Sequence, residues 1–171
     1  MAELRYVDPA RPPSLFARVY ATLAATRFAN FVSRHLNWKL DPLLLRATRG
    51  RFATTLVFPA AVLETKGARS GALRRNAIIY FHDGDTVVIV ASNAGGRSHP
   101  AWYHNVRADP DVTFGGVPMR ASVVDDEHER ERLWSLADRV FPAFARYRRD
   151  AAAVHRVIPI IRLSRREPAR S

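Results

Sequence analysis

From Ala60 onward the chain breaks into short runs rich in β-branched and aromatic residues, separated by turns whose chemistry admits few other structures. Asp83-Gly84-Asp85 and Gly115-Gly116-Val117-Pro118 each sit between two such runs and supply the residues a tight hairpin needs: glycine and aspartate for unusual φ values, proline to limit extension. Strands joined by such turns are antiparallel. The pattern predicts strands at 60–65, 74–81, 86–92, 112–114, 119–124 and 158–163.

Helices are marked as clearly. Pro100 opens a short one running to Ala108, proline being at home in a first turn. Asp126, with Glu129 three residues on, forms a capping box, and Leu133, Trp134, Ala137, Val140 and Phe141 continue as one apolar face. Pro142 interrupts it, and a further helix runs to about Val154. About six mostly antiparallel strands with a few helices make an α+β domain, a barrel with helices against its wall and openings. Before it, an extended arm to Pro13 leads to Ser14 as a helix cap, with Leu15, Phe16, Val19, Tyr20 and Leu23 on one face. Phe28, Phe31, Val32 and Leu36 lie roughly a third of a turn away, so this segment kinks or divides. The expected organisation is an N-terminal arm and helix over 1–40 and a barrel domain over 41–171.

Composition excludes several chemistries. With 171 residues, 47% of them hydrophobic, one domain can bury roughly 70% of its unfolded surface and still enclose a pocket. There is no cysteine, so no disulfide, thiolate zinc site or cysteine nucleophile. The apolar stretch 53–63 is about half a membrane span and contains Pro59, and the first residues lack the features of a secretory leader, so the cytoplasm is the expected compartment. His99 and His104 are five apart, poor spacing for a shared metal on a helix, and no serine lies in a Gly-x-Ser-x-Gly setting. The net charge is +11, yet all but Lys39 and Lys66 of the 27 basic residues are arginine, a bias that a GC-rich genome produces. Placement of charge is therefore more informative than its total.

One placement stands out. No acidic residue occurs between Glu64 and Asp83, while Lys66, Arg69, Arg74 and Arg75 surround Gly67 and Gly71. Glycine lets backbone amides approach a ligand, and arginine forks bind phosphate or carboxylate oxygens at roughly 1.5–3 kcal/mol per charged hydrogen bond. A Lys-Ser or Lys-Thr pair does not follow the second glycine, so this is no Walker A loop. Taken alone, a solvated basic hairpin turn is the better explanation. A basic module for RNA or DNA is the other class of function, but nucleic-acid platforms interleave aromatic and basic residues along strands, and here the charge collects at a turn.

The neighbouring segments make the anion site specific. Glu64-Thr65-Lys66-Gly67-Ala68-Arg69-Ser70-Gly71, Arg74 with Asn76, Asp83-Gly84, Ser92 with Ala94-Gly95, Pro100-Ala101-Trp102-Tyr103-His104-Asn105 and Ala108-Asp109-Pro110 together resemble the deazaflavin-dependent nitroreductase and quinone reductase family, in order and in spacing. With Phe141-Pro142 and Ile158-Pro159-Ile160, the resemblance covers about the last two thirds of the chain. It implies a split β-barrel, monomeric or homodimeric, that binds coenzyme F-420, a deazaflavin whose tail carries a phosphodiester and several glutamates. FMN, used by related split barrels, is the alternative cofactor. By the family pattern Ala68, Arg69, Ser70, Arg74, Arg75, Asn76, Ala77, Ile78 and Ile79 line the cofactor site. Val90, Ala91, Ser92 and Asn93 continue it, and Ala101, Trp102, Tyr103, His104 and Asn105 flank the deazaflavin.

A hydride carrier asks the protein to orient the ring, exclude competing reactions and stabilise charge developing on the acceptor. Ser92 and Tyr147 are the expected catalytic hydrogen-bond donors, and Phe141, Phe144 and Tyr147 form a lid over the substrate pocket, with Phe144 also facing the cofactor. The sequence departs from the family at Asn93, where a basic residue is frequent, and at Ala77, where proline is. Nitroimidazole-reducing relatives carry tyrosine where Phe141 and Phe144 stand, so an apolar acceptor such as a quinone is expected. The arm combines Arg18, Arg27 and Arg34 with aromatic residues, which also suits peripheral contact with the inner face of a membrane.

Overall fold

A computed structural model describes residues 4–11 and 58–166. The expected N-terminal helix and the boundary between 40 and 41 lie outside the described residues.

Six strands, β1 (Ala60–Lys66), β2 (Leu73–Asp83), β3 (Thr86–Val90), β4 (Asp111–Phe114), β5 (Val117–Val123) and β6 (Ile160–Arg165), close in the order β1-β2-β3-β6-β5-β4. Every pairing is antiparallel. The hairpin turns at Gly84 and at Gly115 and Gly116 have positive φ at glycine, as the turn chemistry requires. Closing the sheet removes the unpaired edges that a six-strand open sheet would expose.

Period-two alternation along the strands sorts side chains onto two cores. The first draws Leu63, Tyr80, Val87, Ile89, Val112, Phe114, Met119, Ala121, Ile161 and Leu163 from all six strands, and is completed by Trp102, Tyr103 and Val106 of α1 (Ala101–Ala108). The second joins Phe81, Val88, Val90 and Ile160, on the opposite face of three adjacent strands, to α2 (Glu127–Val140) and α3 (Ala143–Ala152). Asp126 caps α2 by accepting from the N–H of Glu129 at 2.8 Å. That is half of the expected box: Glu129 turns its carboxylate to arginines instead.

The N-terminal segment 4–11 lies against the barrel. The N–H of Val7 donates to Nδ1 of His82 at 3.0 Å, and the N–H of His82 donates to the Val7 carbonyl at 2.9 Å. Tyr80 donates its hydroxyl to the Arg5 carbonyl at 2.9 Å.

Strand pairing leaves β2 uneven. Its residues from Leu73 to Ile79 pair with β1, and only Tyr80 to Asp83 pair with β3. The β1–β2 hairpin therefore runs beyond the β3 side of the barrel, with Leu73, Arg74, Arg75 and Asn76 exposed. This extension carries the basic turn.

Candidate active site

Glycine shapes that turn. The N–H of Gly67 donates to the Ala72 carbonyl and that of Gly71 to the Gly67 carbonyl, both at 2.8 Å. A Cβ on Gly67 would lie 2.9 Å from Ser70 Oγ and 3.1 Å from the Ala72 oxygen, and Gly71 has φ +66°. Neither position tolerates a larger residue without rearrangement.

Asn105 fixes the turn to the barrel. Its Oδ1 accepts from the N–H of Ala68 at 3.0 Å, and its Nδ2 donates to Thr65 Oγ1 at 3.1 Å. Both Asn105 and Thr65 are buried. The amide expected to flank the coenzyme thus spends both ends on the turn, so α1 determines where Ala68, Arg69 and Ser70 stand.

The cations of this hairpin differ in their partners. Arg75 is paired with Glu64 across β1 and β2 at 2.6 Å. Arg74 makes one weak contact, Nη2 donating to Ser70 Oγ at 3.4 Å. Among the described residues Lys66, Arg69 and Arg74 have no carboxylate partner, and all three are exposed. Arginines held close together without counter-charge form a field that attracts a polyanion.

The end of β3 is the second part of the site. The strand stops at Val90, two residues short of expectation, because Ser92 is in the right-handed helical region and Asn93 and Ala94 have φ of +46° and +49°. Non-glycine residues seldom hold that conformation, and they do so most often at functional positions. Asn93 closes the loop by donating Nδ2 to the Ser98 carbonyl at 2.9 Å. Gly95, φ +73°, packs so tightly on α3 that a Cβ would lie 3.0 Å from the Tyr147 carbonyl oxygen and 2.8 Å from the Asp150 Cβ.

The expected site residues therefore fall into three groups. Ala68, Arg69, Ser70, Arg74, Arg75 and Asn76 are exposed on the hairpin, and Ala77, Ile78 and Ile79 become half-buried toward the barrel. Val90 ends β3 and Ala91, Ser92 and Asn93 form the loop beyond it, while α1 points Trp102 and Tyr103 into the barrel core and leaves Ala101 and His104 exposed. Phe141, Phe144 and Tyr147 pack together in the outer core, with Phe141 and Phe144 edge to face at 5.0 Å and Phe58 against Phe141 at 4.7 Å. Ser92 and Tyr147 are linked through Gly95, whose N–H donates to the Ser92 carbonyl at 3.0 Å and where a Cβ would meet the Tyr147 backbone.

Two residues of this region were not among the expected site residues. Arg156 reaches from the loop after α3 to the carbonyls of Ala91 and Ser92. His99 lies beside it, ring nitrogen Nδ1 at 3.4 Å from Arg156 Nη1. Burial first, then the charges of Arg156, His104 and Arg107, lowers the His99 pKa below the usual imidazole value. Their only sequence signal was proximity to the Ser92 and Ile158-Pro159-Ile160 segments.

Comparison with known proteins bears on what this arrangement binds. The family described as F420H(2)-dependent quinone reductase matches residues 39–164. The chain belongs to this family. It is 30% identical over 148 residues to an F420H(2)-dependent quinone reductase of Mycobacterium tuberculosis (strain H37Rv), covering 81% of this chain and 98% of the relative. A solved F420-H2 dependent reductase is 32% identical with a TM-score of 0.54, covering 62% of this chain and 94% of that one. A second solved structure, described as a domain-swapped dimer, is 28% identical with a TM-score of 0.55, covering 74% and 97%.

Membership in the F420H(2)-dependent quinone reductase family makes the protein an oxidoreductase whose cofactor is coenzyme F-420, and favours neither FMN nor nucleic acid. The residues present suit that cofactor: exposed cations without a carboxylate partner among the described residues match a tail bearing phosphate and carboxylates. The split-barrel fold expected from the sequence is the fold observed.

Proposed function

We propose that the protein passes a hydride from reduced F-420 to a quinone bound beside the Ser92 loop, with the basic β1–β2 turn gripping the coenzyme tail. Lys66, Arg69 and Arg74, without a carboxylate partner among the described residues on a turn pinned by Asn105, are the observation that supports this reading most. When bound, the coenzyme supplies a hydride at one ring carbon; the quinone gains that hydride and a proton and becomes a hydroquinone.

The chain's own residues bind, orient and stabilise. Arg69 and Arg74 hold tail anions. Half-buried Ala77, Ile78 and Ile79 offer apolar surface for the ring, and buried Val90, Ala91, Trp102 and Tyr103 brace the cores beside it. Ser92 donates a hydrogen bond to the acceptor oxygen as negative charge develops there, and Tyr147 is a second donor on α3. Phe141 and Phe144 contribute apolar area, so an apolar quinone loses less on leaving water than a polar nitro compound does. Among the described residues no helix is long and apolar enough to cross a membrane. A cytoplasmic enzyme that touches the membrane through its N-terminal arm would meet a lipid-soluble quinone there, as a monomer or as a homodimer.

The test is deazaflavin oxidation followed by absorbance with two acceptors. A menaquinone-like quinone should be turned over faster than a bicyclic nitroimidazole. Ser92→Ala should slow both, and the double change Phe141→Tyr with Phe144→Tyr should raise nitroimidazole turnover. Wild-type preference for the nitroimidazole, or indifference to the double change, would remove these aromatic residues from the active site and leave the family assignment intact.

A further inference from the structure

Arg156, in the connection between α3 and β6, is 8% exposed, yet it meets no carboxylate among the described residues. Burying a cation without a counter-charge is expensive, and a guanidinium does not escape the cost by losing its proton. Its partners are neutral. Nη2 donates to the Ser92 carbonyl at 2.6 Å, Nη1 to the Ala91 carbonyl at 3.3 Å, and Nη1 also faces His99 Nδ1. Nε is buried with no hydrogen-bond partner among the described residues. Such an arrangement costs stability, so a purely structural purpose would be better served by an apolar residue.

The consequence follows from peptide geometry. A trans peptide is planar, and its N–H points opposite to its C=O. The Ala91 carbonyl shares a peptide with the Ser92 N–H, and the Ser92 carbonyl shares one with the Asn93 N–H. Holding both carbonyls on Arg156 turns both N–H groups to the other side of the loop. Neither donates a hydrogen bond among the described residues. The right-handed Ser92 followed by the positive φ of Asn93 keeps successive N–H groups on one side, the arrangement that receives an anion or a polarised oxygen.

We propose that Arg156 is a positioning residue for hydride transfer: it holds the Ala91 and Ser92 carbonyls so that the Ser92 and Asn93 N–H groups face a carbonyl oxygen of the bound reactants. This rests on the reading that the Ser92 loop borders the reacting centre. The oxygen has one chemistry and two sources, a dione carbonyl of the coenzyme ring or a carbonyl of the quinone. The quinone oxygen gains negative charge as the hydride arrives, whereas the ring carbonyl is most electron-rich in the reduced coenzyme and loses density as the hydride leaves, so a donor there serves coenzyme binding.

Arg156→Met and Arg156→Lys test it in four measurements on the full chain: thermal unfolding, F-420 affinity by fluorescence without acceptor, kcat and KM for the quinone, and the His99 titration by NMR in ligand-free protein. In the folded methionine variant the His99 pKa should rise, because Arg156 contributes to its depression. Either F-420 affinity or quinone kcat should fall tenfold or more. Loss of affinity assigns the oxygen to the coenzyme, whereas loss of kcat at unchanged affinity and KM assigns it to the quinone. Lysine keeps the charge but not the fork, so it should restore part of the loss and remain at least threefold below wild type. A folded methionine variant with wild-type affinity, kcat and KM would overturn the proposal. Should methionine prevent folding, a lysine variant equal to wild type in affinity and kcat would do so. Wild type that fails to bind F-420 would instead overturn the reading of the site on which this inference stands.

Discussion

The two ends of β2 carry the same kind of charge in opposite circumstances. At the end that begins with Leu73, the cations Lys66, Arg69 and Arg74 are exposed without a carboxylate among the described residues. At the other end, Asp83 accepts from Arg132 through both oxygens, at 3.0 and 2.6 Å, and from Arg162 at 2.7 Å. Glu129 accepts from Arg132 Nε at 2.8 Å and is also bonded to Arg162. This cluster ties the β2–β3 turn to α2 and β6. An arginine enclosed by carboxylates is committed to the fold, while one left without them is available to a ligand. The net charge of +11 cannot separate the two cases, but pairing can.

Charge reversal at the open end should have the largest effect. Arg69→Glu with Arg74→Glu should weaken F-420 binding about 100-fold or more, two charged contacts of roughly 1.5–3 kcal/mol each being replaced by repulsion. The ligand-free Tm should change by no more than about 1–2 °C, since surface substitutions usually lie within about 0.5 kcal/mol. Fluorescence titration and thermal unfolding measure the pair. A stability loss with intact affinity would invert the comparison.

Asp83→Ala attacks the closed end. It leaves Arg132 and Arg162 sharing Glu129 as their one remaining carboxylate among the described residues, a loss of about 2 kcal/mol once solvent screening is allowed for, and Tm should fall by roughly 4–8 °C. Affinity for F-420 should stay within about twofold, well inside 1.4 kcal/mol. Weakened binding of the same order as in the turn variants would show that the two ends are not independent.

Acid should distinguish them more gently. The hydrogen bond from Arg132 chiefly holds both Asp83 and Glu129 below the usual carboxylate pKa. A depressed carboxylate stabilises the fold above its unfolded pKa of about 4, and that contribution is lost as pH falls through the folded value. Burial lowers His82 and His99, so the folded state resists protons that the unfolded chain accepts below about pH 6.5. Tm should therefore begin to decline below about pH 6.5 and fall faster below about pH 4. Asp83→Ala should flatten the second decline, and the turn variants should leave both unchanged. A Tm profile that Asp83→Ala does not alter below pH 4 would rule out the cluster as the source of acid sensitivity.

Much of this was legible because it is local. Alternation and turn residues marked all six strands and the three described helices, and a run without acids marked the basic turn. β3 ended earlier than its apolar pattern, since the conformation of Ser92 and Asn93 overrides that pattern. Barrel closure, with β6 between β3 and β5, depends on pairings across the chain and leaves no local signature. Arg156 was invisible for the same reason: 64 residues separate it from Ser92, and it is one arginine among many. Phe141, Phe144 and Tyr147 were expected together as a lid, but their place in the chain does not say what that group meets. In the fold it meets Phe58, Trp134 and the outer wall of the barrel.

The central claim is that the open basic turn binds the coenzyme by its tail, and tail length tests it directly. Dissociation constants should be measured for F-420 with a long polyglutamate tail and for a tailless deazaflavin, at low and high salt, in wild type and Arg69→Ala. Wild type should prefer the long tail at least about tenfold at low salt, one charged contact being worth about 1.5 kcal/mol or more. Both Arg69→Ala and high salt should shrink that preference, because exposed charges are screened over about 8–10 Å at physiological ionic strength and more at higher salt. Equal affinity for the two ligands in wild type, or a preference indifferent to Arg69 and to salt, would contradict the claim.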